Sequence, residues 1–246
     1  MAKSRRGGQR SAQTPPPVTP TPTTSPAPTP RTRLTPQQIS NLNPTPLTDT
    51  EAQENRDDVE DMYTPDVVDA IKQYISNTDA GNGFSKAQWL NYRLENNLPL
   101  NTNEKFMDRY MQEGMHGMPK DTTVYRAAHD DVLQRLGVNN YDSYSETQLQ
   151  QMLNGKSWKA DSYVSTSYDK KKNPFMTGMQ SGGREIYMNI KTPSGTPMLY
   201  GAKAQAEIIL NKGTNFQVVS VHYDNTYATP RNGRMKRRLI MDVVAY

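Results

Sequence analysis

Hydrophobic and polar positions divide the chain into stretches of different period. From Pro65, which suits a first helical turn, Val67, Val68, Ile71, Tyr74 and Ile75 recur at helical spacing until Gly81 and Gly83 break the pattern. Ser85 with Gln88 has the capping-box pattern ahead of Trp89, Leu90 and Leu94, and predicts a second helix. Asn101 with Glu104 opens a third, running to about Met115, whose stripe of Phe106, Met107, Tyr110 and Met111 reads as core. From Thr122 the period shortens. Strand-like runs fall at Thr122–Ala127, Tyr163–Ser167, Glu185–Ile190, Glu207–Leu210, Phe216–Tyr223 and Leu239–Ala245, separated by Gly, Pro and Asn. Ser143 with Glu146 predicts one more cap, before a helix near 144–153. Helices first and strands afterwards make an α+β domain over 63–246, with no internal repeat.

Residues 1–48 carry no such pattern. They hold 11 of the 18 prolines, with Thr, Ser and Arg and almost no large apolar side chain. A segment of that kind buries too little surface to offset its ordering entropy, so a disordered tail is expected, with extended polyproline II over Pro15–Pro30. It reads as a linker or delivery arm, or as a docking motif. Residues 49–62 form an acidic, polar lead-in.

The net charge of +4 belongs to the tail. The first 33 residues carry six bases and no acid, and the remainder has 23 bases against 25 acids. A basic domain face built for nucleic acid is therefore not indicated, although the tail arginines keep open a separate, salt-dependent nucleic-acid reading. The absence of cysteine excludes disulfides, thiolate zinc sites and thiol nucleophiles. His116, His129 and His222 are scattered, and no metal is expected. No apolar run approaches the roughly 18 residues of a membrane span, and no apolar segment follows the basic start. The expectation is a monomer without membrane insertion. It acts in its own cytoplasm, or is delivered to a host cell by a phage or a non-classical secretion route.

Three islands place polar residues where strand packing alone prefers apolar ones. They are Val124-Tyr125-Arg126; Tyr163-Val164-Ser165-Thr166-Ser167; and Gln205-Ala206-Glu207-Ile208-Ile209-Leu210, followed by Gly213-Thr214-Asn215-Phe216. An arginine within a strand needs a partner for its guanidinium. The planar fork suits a phosphate or a carboxylate, so an anionic ligand and a plain salt bridge to Glu207 are both open. Gln205 and Glu207, two apart, share a face if both lie on a strand, and then reach one ligand or an exposed surface together.

Together the islands resemble the arginine–serine–glutamate class of mono-ADP-ribosyltransferases, and the Gln-X-Glu pattern resembles the Rho-modifying exoenzymes within it. The order and separations match. Leu90-Asn91-Tyr92-Arg93-Leu94 is similar to the family's helical Ile-Asn-X-X-Leu-Arg element, except that Glu95 stands where arginine is usual. Gly183-Arg184-Glu185-Ile186-Tyr187 and the basic turn Met235–Arg238 before the last strand also fit. The resemblance covers roughly residues 63–246 and implies N-terminal helices packed on a two-sheet, strand-rich core.

It also implies roles. NAD would be the co-substrate. Arg126 would grip its phosphates, and Ala127, where glycine is frequent, would offer backbone groups to the nicotinamide amide. Ser165 would bond near the nicotinamide ribose, with Thr166 and Ser167 bracing the central strands. Phe175 would cover the nicotinamide and Arg184 would add a phosphate contact. Glu207 would be the catalytic glutamate: cleaving the N-glycosidic bond develops positive charge on the ribose, which a carboxylate on the 2′-hydroxyl stabilises. Gln205 would meet the acceptor. A glutamine amide both donates and accepts but is a poor base, which disfavours arginine as acceptor and leaves a protein side chain ahead of nucleic acid. Met198–Ala204 would form the target-facing turn, with Tyr200 touching the substrate. The competing reading is a non-catalytic member of the same fold, a binding or virion module in which Arg126 and Glu207 merely pair.

Overall fold

Five helices begin at reciprocal caps, in which the residue before the helix bonds the third residue's amide and is bonded back by its side chain. The pairs are Thr35 with Gln38, Thr48 with Glu51, Ser85 with Gln88, Asn101 with Glu104 and Ser145 with Gln148. The computed structural model describes residues 33–76, 79–80, 83–177, 184–229 and 233–246. The expectations for residues 1–32, Gly81 and Gly183 lie outside the described residues. The helices are α1 (Pro36–Asn41), α2 (Asp49–Glu60), α3 (Pro65–Ile75), α4 (Lys86–Glu95), α5 (Thr102–Glu113), α6 (Asp131–Arg135) and α7 (Glu146–Leu153). The strands are β1 (His116–Gly117), β2 (Thr122–Ala128), β3 (Ser157–Lys159), β4 (Val164–Ser167), β5 (Ile186–Thr192), β6 (Pro197–Tyr200), β7 (Glu207–Leu210), β8 (Asn215–Ala228) and β9 (Lys236–Ala245).

The domain is α+β, but its core is one sheet and not the expected two. The strands follow the order β1-β6-β7-β4-β2-β5-β9-β8-β3, antiparallel throughout except for β5 beside β9. The two halves meet at a single pair, Tyr125 opposite Ser167. Six of the nine described strands match runs expected from the sequence, while β1, β3 and β6 do not; which strands share a ladder is not readable, because pairing is long-range.

Side chains alternate across the sheet. On β7, Ile208 and Leu210 enter the larger core cluster, while Ile209 joins the cluster made by α3, α4 and α5. Val67, Ile71 and Tyr74 of α3, Leu90 of α4 and Met107 and Met111 of α5 pack there on Tyr163, Leu199 and Ile209. Met107 and Met111 of α5 are core, as their spacing predicts, and Phe106 and Tyr110 are half-buried against it.

Three other expectations change. Pro36–Asn41 is helical, and Ile39 and Leu47 are buried, so this end of the assigned tail is folded. The cap of α7 is Ser145 with Gln148; Ser143 instead closes a short 3₁₀ turn, Tyr141–Ser143. Pro197–Tyr200 is a strand, buried between β1 and β7, where a turn was expected. Among the described residues no helix is long and apolar enough to cross a membrane.

Candidate active site

Beyond Tyr125 and Ser167 the strands β2 and β4 part, and the Arg126 side chain occupies the parting. Its Nη1 donates to the carbonyl oxygen of Ser165 at 2.7 Å, replacing a ladder bond with a side-chain bond. Among the described residues no acid lies within ion-pair distance of this guanidinium, and the salt bridge to Glu207 considered from the sequence does not form. Burial lowers the Arg126 pKa from its ordinary value, with Tyr74, Asp131 and Glu95 acting in the opposite direction. An arginine starts so high that it stays charged. Half-buried and without an acid partner, this cation suits an anion.

A cleft of about 560 Å³ opens between the helices and this side of the sheet. Arg126, Ala127, Ser165, Thr166, Phe175, Arg184, Gln205 and Glu207 all line it. Eight of the nine residues singled out from the sequence therefore converge. The ninth, Tyr200, does not: it is 1% exposed, on β6, with its ring against His116 and beneath the Arg56 guanidinium. Strand pairing with Ile208 turns it inward, so it is not a surface aromatic for a macromolecular target.

Gln205 and Glu207 reach the cleft by a different geometry from the one expected. Gln205 ends a 3₁₀ turn, Lys203–Gln205, and only Glu207 is on the strand. Between them Ala206 is buried with φ of 49°, in the left-handed region that a non-glycine residue rarely adopts. This sharp reversal leaves Gln205 exposed at the rim and Glu207 half-buried in the wall. The Glu207 carboxylate Oε2 accepts from the Ala202 amide at 2.8 Å.

The Ser-Thr-Ser run divides its work. Ser165 faces the cleft, beside the Tyr74 hydroxyl. The Thr166 hydroxyl is buried and donates to the Ile208 carbonyl at 2.8 Å, so it joins β4 to β7 and is spent on that bond. The Ser167 hydroxyl lies 2.8 Å from the Gln205 carbonyl and holds the 3₁₀ turn against β4. On the opposite wall the Arg184 guanidinium lies 3.8 Å from the centre of the Phe175 ring, and its Nη1 donates to the Ala127 carbonyl at 2.8 Å. That carbonyl, expected to face a ligand, is already engaged.

Tyr74 and Asn91 belong to this site, although the sequence marks one only by its helical spacing and the other only through a motif. The Asn91 side-chain amide donates to the Tyr74 hydroxyl at 2.9 Å. It also meets both backbone groups of Tyr163, at 3.3 Å each, as a neighbouring strand would. Helix α4 thus holds the entry to β4. Burial pushes the Tyr74 phenol up to about 12, so at neutral pH it is a neutral hydroxyl. Where the related motif has arginine, Glu95 accepts from Ser162 at 2.7 Å and pairs with Arg135 at 3.3 Å. Both line a second cavity of about 270 Å³ that shares Arg126 and Arg184 with the main cleft.

The β4 and β7 wall, the guanidinium at the sheet's parting and the Glu207 carboxylate stand where the resemblance to the ADP-ribosyltransferases expects them. A model of the ADP-ribosyltransferase exoenzymes matches residues 51–245, and the chain belongs to that family of enzymes. Among solved structures it is similar to Plx2a, an ADP-ribosyltransferase toxin from Paenibacillus larvae, at 14% identity and a TM-score of 0.59, covering 80% of this chain and 96% of that one. It is similar to C3stau2 from S. aureus, solved with NAD, at 21% identity and a TM-score of 0.54, covering 80% and 95%. The enzymatic component C2-I of the C2-toxin from Clostridium botulinum aligns at 14% identity and a TM-score of 0.60, covering 81% of this chain and 48% of that one, so the chain spans about half of C2-I. At these identities the likeness is one of fold. No curated protein matches the chain.

Proposed function

We propose that the chain is an NAD-dependent mono-ADP-ribosyltransferase that modifies a protein side chain other than arginine and releases nicotinamide. The observation that carries this reading is a half-buried guanidinium without an acid partner, Arg126, lining one cleft with Ser165 and Glu207. The residues fit NAD: a cation for a diphosphate, a carboxylate and hydroxyls for a ribose, and an aromatic ring, Phe175, for a flat heterocycle. When bound, NAD supplies a glycosidic bond whose leaving group is already cationic and departs neutral. Arg126 binds the diphosphate, and Arg184, held on the neighbouring Ala127 carbonyl, adds a second cation. The smaller cavity shares both arginines and is the place for the adenosine end, where Arg135 brings the guanidinium that position 95 lacks.

Glu207 accepts from the ribose 2′-hydroxyl and offsets the positive charge that develops on the sugar. Ser165, held beside Tyr74, keeps that carboxylate and the ribose in register. Phe175 excludes water from one face. Gln205, exposed at the rim, receives the acceptor: its amide donates and accepts, which suits an asparagine-like amide and does not suit deprotonation of a guanidinium. This is the Gln-X-Glu chemistry of the Rho-modifying exoenzymes, with one difference. The turn after β6 has no exposed aromatic, so Lys203, Ala204 and Gln205 form the contact edge. The family description, exoenzyme, supports action on a target outside the producing cell.

The test is incubation of the purified chain with labelled NAD and cell lysates, followed by mass spectrometry of the modified acceptor. Label on an asparagine or glutamine amide is the expected result. Absence of nicotinamide release under every target condition would return the non-catalytic reading, and label on arginine would overturn the acceptor assignment.

A further inference from the structure

Glu207 opens β7, and a carboxylate at a strand end keeps one position only if its surroundings fix it. Oε2 is held by the Ala202 amide at 2.8 Å. The residue before Ala202 does something different. The Gly201 amide donates to the Glu207 carbonyl at 3.0 Å, which brings the two residues face to face. A Cβ on Gly201 would lie 2.7 Å from Cδ and 2.8 Å from Cγ of Glu207, and closer still to Oε2. Those separations are well inside van der Waals contact. Gly201 is not among the residues with positive φ, so its backbone accepts an L side chain. The carboxylate is what excludes one.

The Gly201 carbonyl points the other way, to Arg56 of α2, whose Nη1 donates to it at 3.0 Å. The same guanidinium lies 5.1 Å from the centre of the Tyr200 ring, on the residue before Gly201. The Arg56 side chain is 13% exposed. Helix α2 is itself tied down twice, by Asp49 to Lys172 at 2.6 Å and by Glu51 to Lys120 at 2.6 Å. Lys172 sits in the loop that leads to Phe175, three residues before it.

We propose that Gly201 and Arg56 are positioning residues for Glu207, a clamp in which α2 pins the turn and the missing side chain at 201 lets the carboxylate settle on the Ala202 amide. The proposal rests on the reading of Glu207 as the catalytic carboxylate. Neither residue touches the reacting groups. Helix α2, which lines no part of the cleft, thereby helps to hold the carboxylate.

The experiment uses the full chain and three variants, Gly201→Ala, Arg56→Ala and Arg56→Lys. Nicotinamide release against NAD concentration, NAD affinity by calorimetry and melting temperature are measured for each. Gly201→Ala is expected to lose roughly a hundredfold in kcat, because an ångström of displacement at the carboxylate suffices for that. Arg56→Ala is expected to lose about tenfold in kcat, with KM for NAD unchanged. Arg56→Lys recovers part of the loss, since an ammonium still reaches the Gly201 carbonyl and the Tyr200 ring. Wild-type kcat in Arg56→Ala and Gly201→Ala overturns the clamp, as does a parallel loss of NAD affinity and kcat. If Gly201→Ala fails to fold, the Arg56 pair decides. A crystal structure of Arg56→Ala gives a readout free of turnover: a Glu207 carboxylate still on the Ala202 amide, with the turn unmoved, overturns the clamp. If the wild type released no nicotinamide, the functional reading would fall and this structure alone would judge the clamp.

Discussion

The Arg126 guanidinium donates to the Ser165 carbonyl at 2.7 Å, where β2 and β4 separate after Tyr125 and Ser167. One bond thus serves two ends. It closes the sheet where the ladder stops, and it leaves the rest of the guanidinium facing both cavities.

Arg126→Lys keeps the charge and removes the fork. A lysine cannot serve Ser165 and a diphosphate bidentately at once. KM for NAD is expected to rise about tenfold, the equivalent of one hydrogen bond of roughly 1.4 kcal/mol. The melting temperature should fall by a few degrees if the Ser165 carbonyl loses its partner. Steady-state kinetics and calorimetry check both; an unchanged KM would remove Arg126 from the binding site.

Glu207→Gln keeps the shape and removes the charge. Folding and NAD affinity should stay near wild type, while nicotinamide release falls by about a hundredfold or more. A variant that still transfers at the wild-type rate would disprove the assignment.

Gln205→Ala separates the two halves of the reaction. Gln205 is exposed at the rim, apart from the half-buried Glu207. NAD hydrolysis should persist, and transfer to the target should drop about tenfold. Equal losses in both activities would contradict this division.

Acid should loosen α2. A hydrogen bond from Lys120, followed by bonds from Thr48, holds the Glu51 carboxyl down to about 2 from 4.5, and Lys172 lowers that of Asp49. A depressed carboxyl stabilises the folded state fully above its unfolded value, and that contribution fades as pH falls through the folded one. The docking of α2 is therefore expected to weaken progressively below about pH 4.5. Both groups are at the surface, so the effect should be small and salt-sensitive. Hydrogen exchange of the α2 amides between pH 5 and pH 3 measures it; protection that does not change relative to α5 would refute it.

The strands β2, β4 and β7 were legible because each carries a polar residue that breaks the apolar alternation, and β7 begins and ends where the pattern placed it. The caps at Ser85 and Asn101 were legible because both partners lie within four residues. Thr48 and Glu51 have the same pattern, yet α2 was read as a lead-in because almost no apolar stripe follows: Ala52 is its one fully buried residue. Tyr74 is marked by the sequence only through its helical spacing; that its buried ring also brings a hydroxyl to the cleft depends on where α3 packs.

By itself the sequence determined the helices-then-strands order, the three islands of site chemistry and the slightly acidic domain behind a basic arm. These are properties of neighbours along the chain, where period and capping act. Only the tertiary structure decided that the strands join in one sheet through a single pair, that Tyr200 turns inward, that Gln205 and Glu207 part at a left-handed Ala206, and that Arg56 reaches Gly201. Each of these depends on which distant segments come together, and the free energy of such packing resides in contacts that no local window contains.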